Sequence, residues 1–211
     1  MIENNTQIFC DMDGVLVDFE STAISLINSL LDGGQLPGVS RTKSHFYRVK
    51  QVHDELGKDW RAESGRDLKI PIVKRLMFVS IASNPGVIFS SMQPHQDGIT
   101  QLWDFLNKSG LVVNILSAPI NGNKKAPTSA ADGKTQWVKS WLDPQPKNII
   151  ITPSARKFEH ATTNGTANIL IDDKSSTIDS WNNAGGIGIL HTPKNSLKSI
   201  NQLMEILSKN V

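Results

Sequence analysis

Five short apolar runs, each followed or preceded by a stretch of helical periodicity, set the pattern of this chain. The runs at 8–10, 112–116, 148–152, 168–172 and 187–190 are mostly apolar, with Ile, Val and Leu predominating after the first, which is the pattern of strands buried on both faces. Between them, apolar residues recur at spacings of three and four. Leu16, Phe19, Ala23, Leu26, Ile27 and Leu30 predict a helix over 16–31 that stops at Gly33-Gly34. Ile99, Leu102, Trp103, Phe105 and Leu106 predict a second over 94–109, ended by Gly110. Further helices are expected at 134–142, 175–184 and 196–208.

Strands alternating with helices imply an α/β fold: a parallel sheet joined by right-handed crossovers, with helices on both faces. The alternation lapses between about 35 and 92, where polar and aromatic residues mix without strand signals, as in His45-Phe46-Tyr47-Arg48 and Trp60-Arg61. This stretch reads as a small, mostly helical subdomain inserted after the first strand. The expected organisation is therefore a core of 1–18 and 93–211, with a linking helix and helical cap at 19–92. Residues 121–132, rich in Lys, Pro, Ser and Ala, read as a mobile loop.

Composition narrows the picture. A chain of 211 residues is long enough for a real core. Its net charge of +2, from 22 basic and 20 acidic residues, carries no signature of a dedicated nucleic-acid surface but leaves room for a small anionic substrate. The single cysteine, Cys10, lies inside the first strand and reads as a buried apolar thiol. No stretch reaches the length of a membrane span and the first residues lack a leader pattern, so a cytoplasmic protein without a membrane partner is expected.

The chemistry collects where the strands end. Ligands of open α/β sheets lie beyond the carboxyl ends of the strands, and polar residues occupy four such ends: Asp11 with Asp13, Ser117, the loop from Pro153 to Lys157, and Asp172-Asp173. In Cys10-Asp11-Met12-Asp13-Gly14 two carboxylates follow an apolar run, and Gly14 marks the turn away from it. By itself Asp-x-Asp-Gly is equally an acidic helix-capping turn.

Asp11-Met12-Asp13-Gly14-Val15-Leu16 resembles the first motif of the haloacid dehalogenase superfamily, and with Val17-Asp18-Phe19 it is most similar to the 5'(3')-deoxyribonucleotidase branch. That resemblance implies a Rossmann-like sheet, Mg²⁺ as cofactor and an aspartyl-phosphate intermediate. It implies that Asp11 is nucleophile and metal ligand, and that Asp13 is the acid and base, its backbone carbonyl also on the metal. Ser117 matches the second motif, a phosphate-binding hydroxyl, although Ala118 stands where the branch has a further hydroxyl. Asp172-Asp173 matches the fourth, with Asp173 on the metal and Asp172 orienting it or binding through water. The motif lysine is expected at Lys157, with Lys134 as a second phosphate contact or a surface residue. Aromatic cap residues stack the base in this branch, and Phe89, Phe46, Tyr47 and Trp60 are the candidates; packing within the cap is the alternative for each.

The expected function is a Mg²⁺-dependent phosphomonoesterase acting on a small phosphorylated substrate, a nucleoside monophosphate and in particular a deoxyribonucleotide. A phosphatase for another small ester or a nucleic-acid end, and an inactive binding module on the same fold, are the alternatives.

Overall fold

The structure, a computed structural model, describes residues 5–34, 41–119 and 129–208. Its described residues form two compact units: 5–18, 93–119 and 138–208 in one, and 19–34, 41–92 and 129–137 in the other.

The first unit is built on a five-stranded sheet in the order β3-β2-β1-β6-β7. Its strands are β1 (Gln7–Cys10), β2 (Val112–Ser117), β3 (Ile149–Ile151), β6 (Ile169–Asp172) and β7 (Ile187–Leu190). All pair in parallel, with Cys10 opposite both Ile115 and Ile171 and Asp172 opposite Leu190. The central strands are buried almost throughout, which explains why their sequences are apolar without alternation. A two-stranded antiparallel hairpin, β4 (Thr162–Thr163) and β5 (Thr166–Ala167), was not signalled by hydrophobic pattern and turns through Asn164 and Gly165, both at positive φ.

Helices cover this sheet: α5 (Asp104–Lys108) packs on β2, α7 (Ser175–Asn183) on β6 and β7, and α8 (Ser196–Ser208) on β7. Trp181 anchors α7. It is fully buried with Phe9, Leu116 and Leu170, meets the Phe9 ring edge-on at 5.6 Å, and its indole N–H donates to Asn168 O at 3.1 Å. Gly185, at φ +87, ends the same helix as its position after the last periodic residue predicts. At the amino ends of the strands, the buried Asn114 amide donates to Gln7 Oε1 and accepts from Asn148, so one polar residue ties three strands in register.

Two predicted helices begin later than their periodicity suggests, for one shared reason. The helix expected from 16 is α1 (Phe19–Leu31), because Leu16 and Val17 are held in a tight turn. Met12 O accepts from the N–H groups of Val15, Leu16 and Val17, and Gly14 N donates to Val17 O. Val17 in turn bridges to Pro94, and His95 N donates to Leu16 O at 2.8 Å, which withholds 94–95 from the next helix. That helix starts at Gln96 and passes through a π-helical stretch, Gly98–Trp103, before continuing as α5. A Cβ at Gly98 would fall 2.7 Å from Val15 O, so glycine permits this close approach. Of the expected loop at 121–132, residues up to 128 lie outside the described residues, and 130–132 are helical, forming the start of α6 (Ala130–Trp141).

The second unit is helical. It contains α1, α2 (Lys43–Leu56), α3 (Pro71–Ser83), α4 (Pro85–Ser90) and the first two turns of α6. On α1 the buried face is Ala23, Leu26, Ile27, Leu30 and Leu31; on α3 it is Ile72, Val73, Leu76, Met77, Ser80 and Ile81. The loop between α2 and α3 is tied to α1 by side chains: Asn28 exchanges two hydrogen bonds with the Ala62 backbone, and Glu20 accepts from Gly65 N. No helix of the described residues is long and apolar enough to cross a membrane.

Candidate active site

Adjacent strands deliver the acidic residues. Asp11 follows β1 directly and its N–H donates to Ile171 O at 2.9 Å, which extends the β1–β6 ladder by one step. Asp172 is the last residue of β6, and Asp173 comes next. Asp11, Asp172 and Asp173 each present an oxygen such that all three lie within 4.8 Å of one another.

A buried lysine reaches this cluster from a short 3-10 segment, Ser154–His160, beyond β3. Lys157 is 1% exposed, and its Nζ lies 2.7 Å from Asp172 Oδ2 and 3.0 Å from Asp11 Oδ2. The other oxygens of those two acids are held by main-chain donors: Met12 N to Asp11 Oδ1 at 2.8 Å and Lys174 N to Asp172 Oδ1 at 2.9 Å. Both carboxylates are thus gripped on both oxygens, which fixes their planes. Asp173 makes no hydrogen bond among the described residues.

The electrostatics follow from one lysine facing several acids. Burial alone would lower the Lys157 ammonium, but Asp11 and Asp172 outweigh it and hold its pKa above the ordinary value. Loss of water raises the Asp172 carboxyl, and the Asp11 charge raises it further, against the pull of Lys157 and the Lys174 N–H. Asp173 is pushed up to about 7, first by partial loss of water and then by the like charges of Asp11, Asp172 and Asp13. The same surroundings make Cys10 a poor nucleophile: burial and then Asp11 push its thiol well above its ordinary value.

Gly14 lets the acids approach. It sits at φ +78 in the turn after Asp13, and a Cβ there would lie 2.8 Å from Asp173 Cγ. Gly14→Ala is therefore expected to cost about 1–2 kcal/mol in stability from the left-handed backbone and to displace Asp173. Melting curves with and without Mg²⁺ check this: the variant should lose most of any Mg²⁺-induced gain, and an unchanged gain would show that Asp173 had not moved.

Ser117 ends β2 two residues beyond Ile115, the partner of Cys10, and is fully buried on the same edge of the sheet. Asp13 is half-buried in the turn between Met12 and Val17. The structure thus brings Asp11, Lys157, Asp172 and Asp173 into one group, with Asp13 registering on Asp173 through charge. Lys134 belongs to the second unit, fully buried with its Nζ 4.6 Å over the Phe89 ring. Phe89 is 2% exposed, Trp60 is half-buried, and Phe46 and Tyr47 are each 57% exposed. Sequence reading passed over the Met12 and Lys174 amides, since a main-chain donor leaves no mark in residue type.

No protein-family model and no curated protein sequence matches this chain. Solved structures do. A protein described as a phosphoglycolate phosphatase, from Lactobacillus delbrueckii subsp. bulgaricus, matches over 97% of this chain and 99% of its own, at 11% identity and a TM-score of 0.51. The fold is of the haloacid dehalogenase type. Other matches are a 2-haloacid dehalogenase from Pseudomonas syringae pv. Tomato (12% identity, 100% of both chains, TM-score 0.49) and a β-phosphoglucomutase-type protein from Thermotoga maritima (13% identity, 95% and 99%, TM-score 0.47). These proteins are described by differing reactions, and none of them as a deoxyribonucleotidase.

Proposed function

We propose that this protein is a Mg²⁺-dependent phosphomonoesterase of nucleoside monophosphates, deoxyribonucleotides in particular, working through a phosphorylated Asp11. The observation that carries the reading is the surplus of carboxylate at the carboxyl edge of the sheet: Asp11, Asp172 and Asp173 converge, and one buried ammonium neutralises only part of their charge. Hard oxygen ligands in excess of local positive charge suit Mg²⁺. Asp11 and Asp173 would hold the ion, with the Asp13 carbonyl, and Asp172 would orient them. Bound there, Mg²⁺ would offset the charge of the phosphoryl oxygens.

The chain's own residues would then divide the work. Asp11, its carboxylate held by Met12 N and Lys157, attacks phosphorus as the bond to the leaving oxygen breaks. Asp13 gives its proton to the departing alkoxide; in the second half it takes a proton from water, whose oxygen attacks the phosphoryl group and releases Asp11. Lys157 stays charged throughout and offsets the nucleophile and the phosphate. Ser117 donates its hydroxyl to a phosphate oxygen. Preference for nucleotides rests on the resemblance of residues 11–19 to the deoxyribonucleotidase branch.

Phosphate release from a panel of nucleoside monophosphates and sugar phosphates, with Mg²⁺ or EDTA, tests this directly. Release confined to nucleotides and to Mg²⁺ is expected; turnover of sugar phosphates alone would retain the mechanism and discard the nucleotide.

A pH dependence follows from Asp173. Its folded carboxyl titrates near 7 against an ordinary 3.8, so between those values the folded state holds a proton that the unfolded chain has released. Metal-free stability should therefore fall as pH rises from about 4 to about 7 and then level off. Mg²⁺ must displace that proton, so its stabilisation should be small near pH 5.5 and complete near pH 8. Asp173→Asn should flatten the metal-free slope and remove the Mg²⁺ gain in thermal melts; a Mg²⁺ gain independent of pH would exclude Asp173 as a ligand.

A further inference from the structure

The outer face of α2 carries a feature unrelated to the acidic centre. Its inner face is His45, Val49 and Val52, all buried. The opposite face presents Lys43, Phe46, Tyr47 and Lys50, at spacings of three and four. Both rings are 57% exposed, an unusual placement for two neighbouring large aromatics.

Each ring is backed by a guanidinium. Arg41 lies 4.9 Å over the Phe46 ring centroid and Arg48 lies 5.4 Å over that of Tyr47. These cations are themselves fixed: Arg41 donates to Leu30 O and Gly33 O at the end of α1, and Arg48 donates to Gln51, whose amide donates to the Tyr47 hydroxyl. The rings are thus supported on one side and open on the other, so little side-chain freedom remains to be lost when something stacks on them.

The charge around them is mainly positive. From Gly33 to His53 the sequence contains four cations, Arg41, Lys43, Arg48 and Lys50, and no Asp or Glu; the acids that follow are Asp54 and Glu55, and Asp54 pairs with Lys50 at 2.6 Å, both side chains exposed and open to exchange for a phosphate. A net charge of +2 for the whole chain conceals this local excess. A protein partner would favour aromatics and arginine but not lysine, which is depleted from the cores of protein interfaces. Stacking rings flanked by lysines fit a polyanion that carries its own π-faces.

We propose that this face of α2 binds single-stranded nucleic acid, with unpaired bases on Phe46 and Tyr47 and phosphates on Lys43, Lys50 and Arg48. The inference is independent of the phosphatase reading.

The test is fluorescence anisotropy of a labelled oligothymidylate of about fifteen nucleotides. It lacks terminal phosphates and is measured in EDTA, so that the acidic centre has no ligand to hold. Saturable binding at low salt is expected, with log affinity falling against log salt at a slope of about −2, from three neutralised phosphates. A duplex of the same length should bind more weakly, because its bases are already stacked. Phe46→Ala with Tyr47→Ala should weaken oligothymidylate binding at least about tenfold with an unchanged melting curve. Lys43→Glu with Lys50→Glu should lower both affinity and salt slope, and decides the matter if the ring variant unfolds. Absence of saturable binding by the wild type would overturn the proposal, as would equal affinity in both variants. Self-association that disappears in the ring variant, without oligonucleotide binding, would overturn it in favour of a protein interface.

Discussion

Asp11→Asn is expected to lower kcat for phosphate release by at least about 10⁴-fold, since removal of the nucleophile from a well-studied hydrolase costs up to about 10⁶. The substitution keeps the shape of the side chain and its acceptor for Met12 N, while the oxygen proposed to attack phosphorus is gone. Lys157 retains Asp172 at 2.7 Å, so the ammonium stays paired and the melting temperature should remain within a few degrees of wild type. That separation matters, because lost activity with retained stability rules out unfolding as the cause. Acid quenching of enzyme mixed with radiolabelled substrate supplies a second readout. Wild type should retain acid-stable label on the protein and the variant none. A variant within tenfold of wild type would exclude Asp11 as the nucleophile.

Lys157→Met should be the most damaging substitution for stability, at about 3–5 kcal/mol. The methionine fills much of the lysine's volume, so the loss measures charge rather than a cavity. Without the ammonium, Asp11 and Asp172 face each other buried with one oxygen apiece deprived of its partner. Two further results distinguish this cause from general disruption. The deficit should shrink on acidification, because Asp172, already held above its ordinary range, takes up a proton and ceases to repel. Adding Asp172→Asn to Lys157→Met should restore part of the stability, the sign expected when one buried anion of an unpaired group is removed. Arginine should not substitute, since the compact ammonium serves two acceptors at 2.7 and 3.0 Å in a closed space that the planar guanidinium does not fit. Chemical denaturation across pH measures all three. A deficit unchanged by acidification would show that packing, not charge, was lost.

Most of the architecture could be read along the chain because the relevant forces act locally. Buried strands leave continuous apolar runs, amphipathic helices leave a period near four, and a left-handed turn leaves a glycine, as at Gly14 and Gly185. The five parallel strands and the helices that separate them follow from those marks. The late starts of α1 and of the helix after Pro94 do not, because they depend on Leu16 and Val17 meeting Pro94 and His95 across the sequence. The same holds for the exposed rings of α2: their residue types were readable, their support by Arg41 and Arg48 was not.

For the acidic centre, residue types and strand ends are legible along the chain: Asp11, Asp13, Ser117 and Asp172-Asp173 each follow or close an apolar run, and a parallel sheet must bring such ends to one edge. Which lysine meets the carboxylates is settled by the packing of the whole fold. Lys157 and Lys134 both follow strands, and both are buried, yet Lys157 lies between Asp11 and Asp172 while Lys134 lies over Phe89 in the other unit. The physical reason is that strand periodicity fixes where a chain leaves the sheet, whereas the direction in which a long side chain turns depends on the charges and walls that the rest of the fold sets around it.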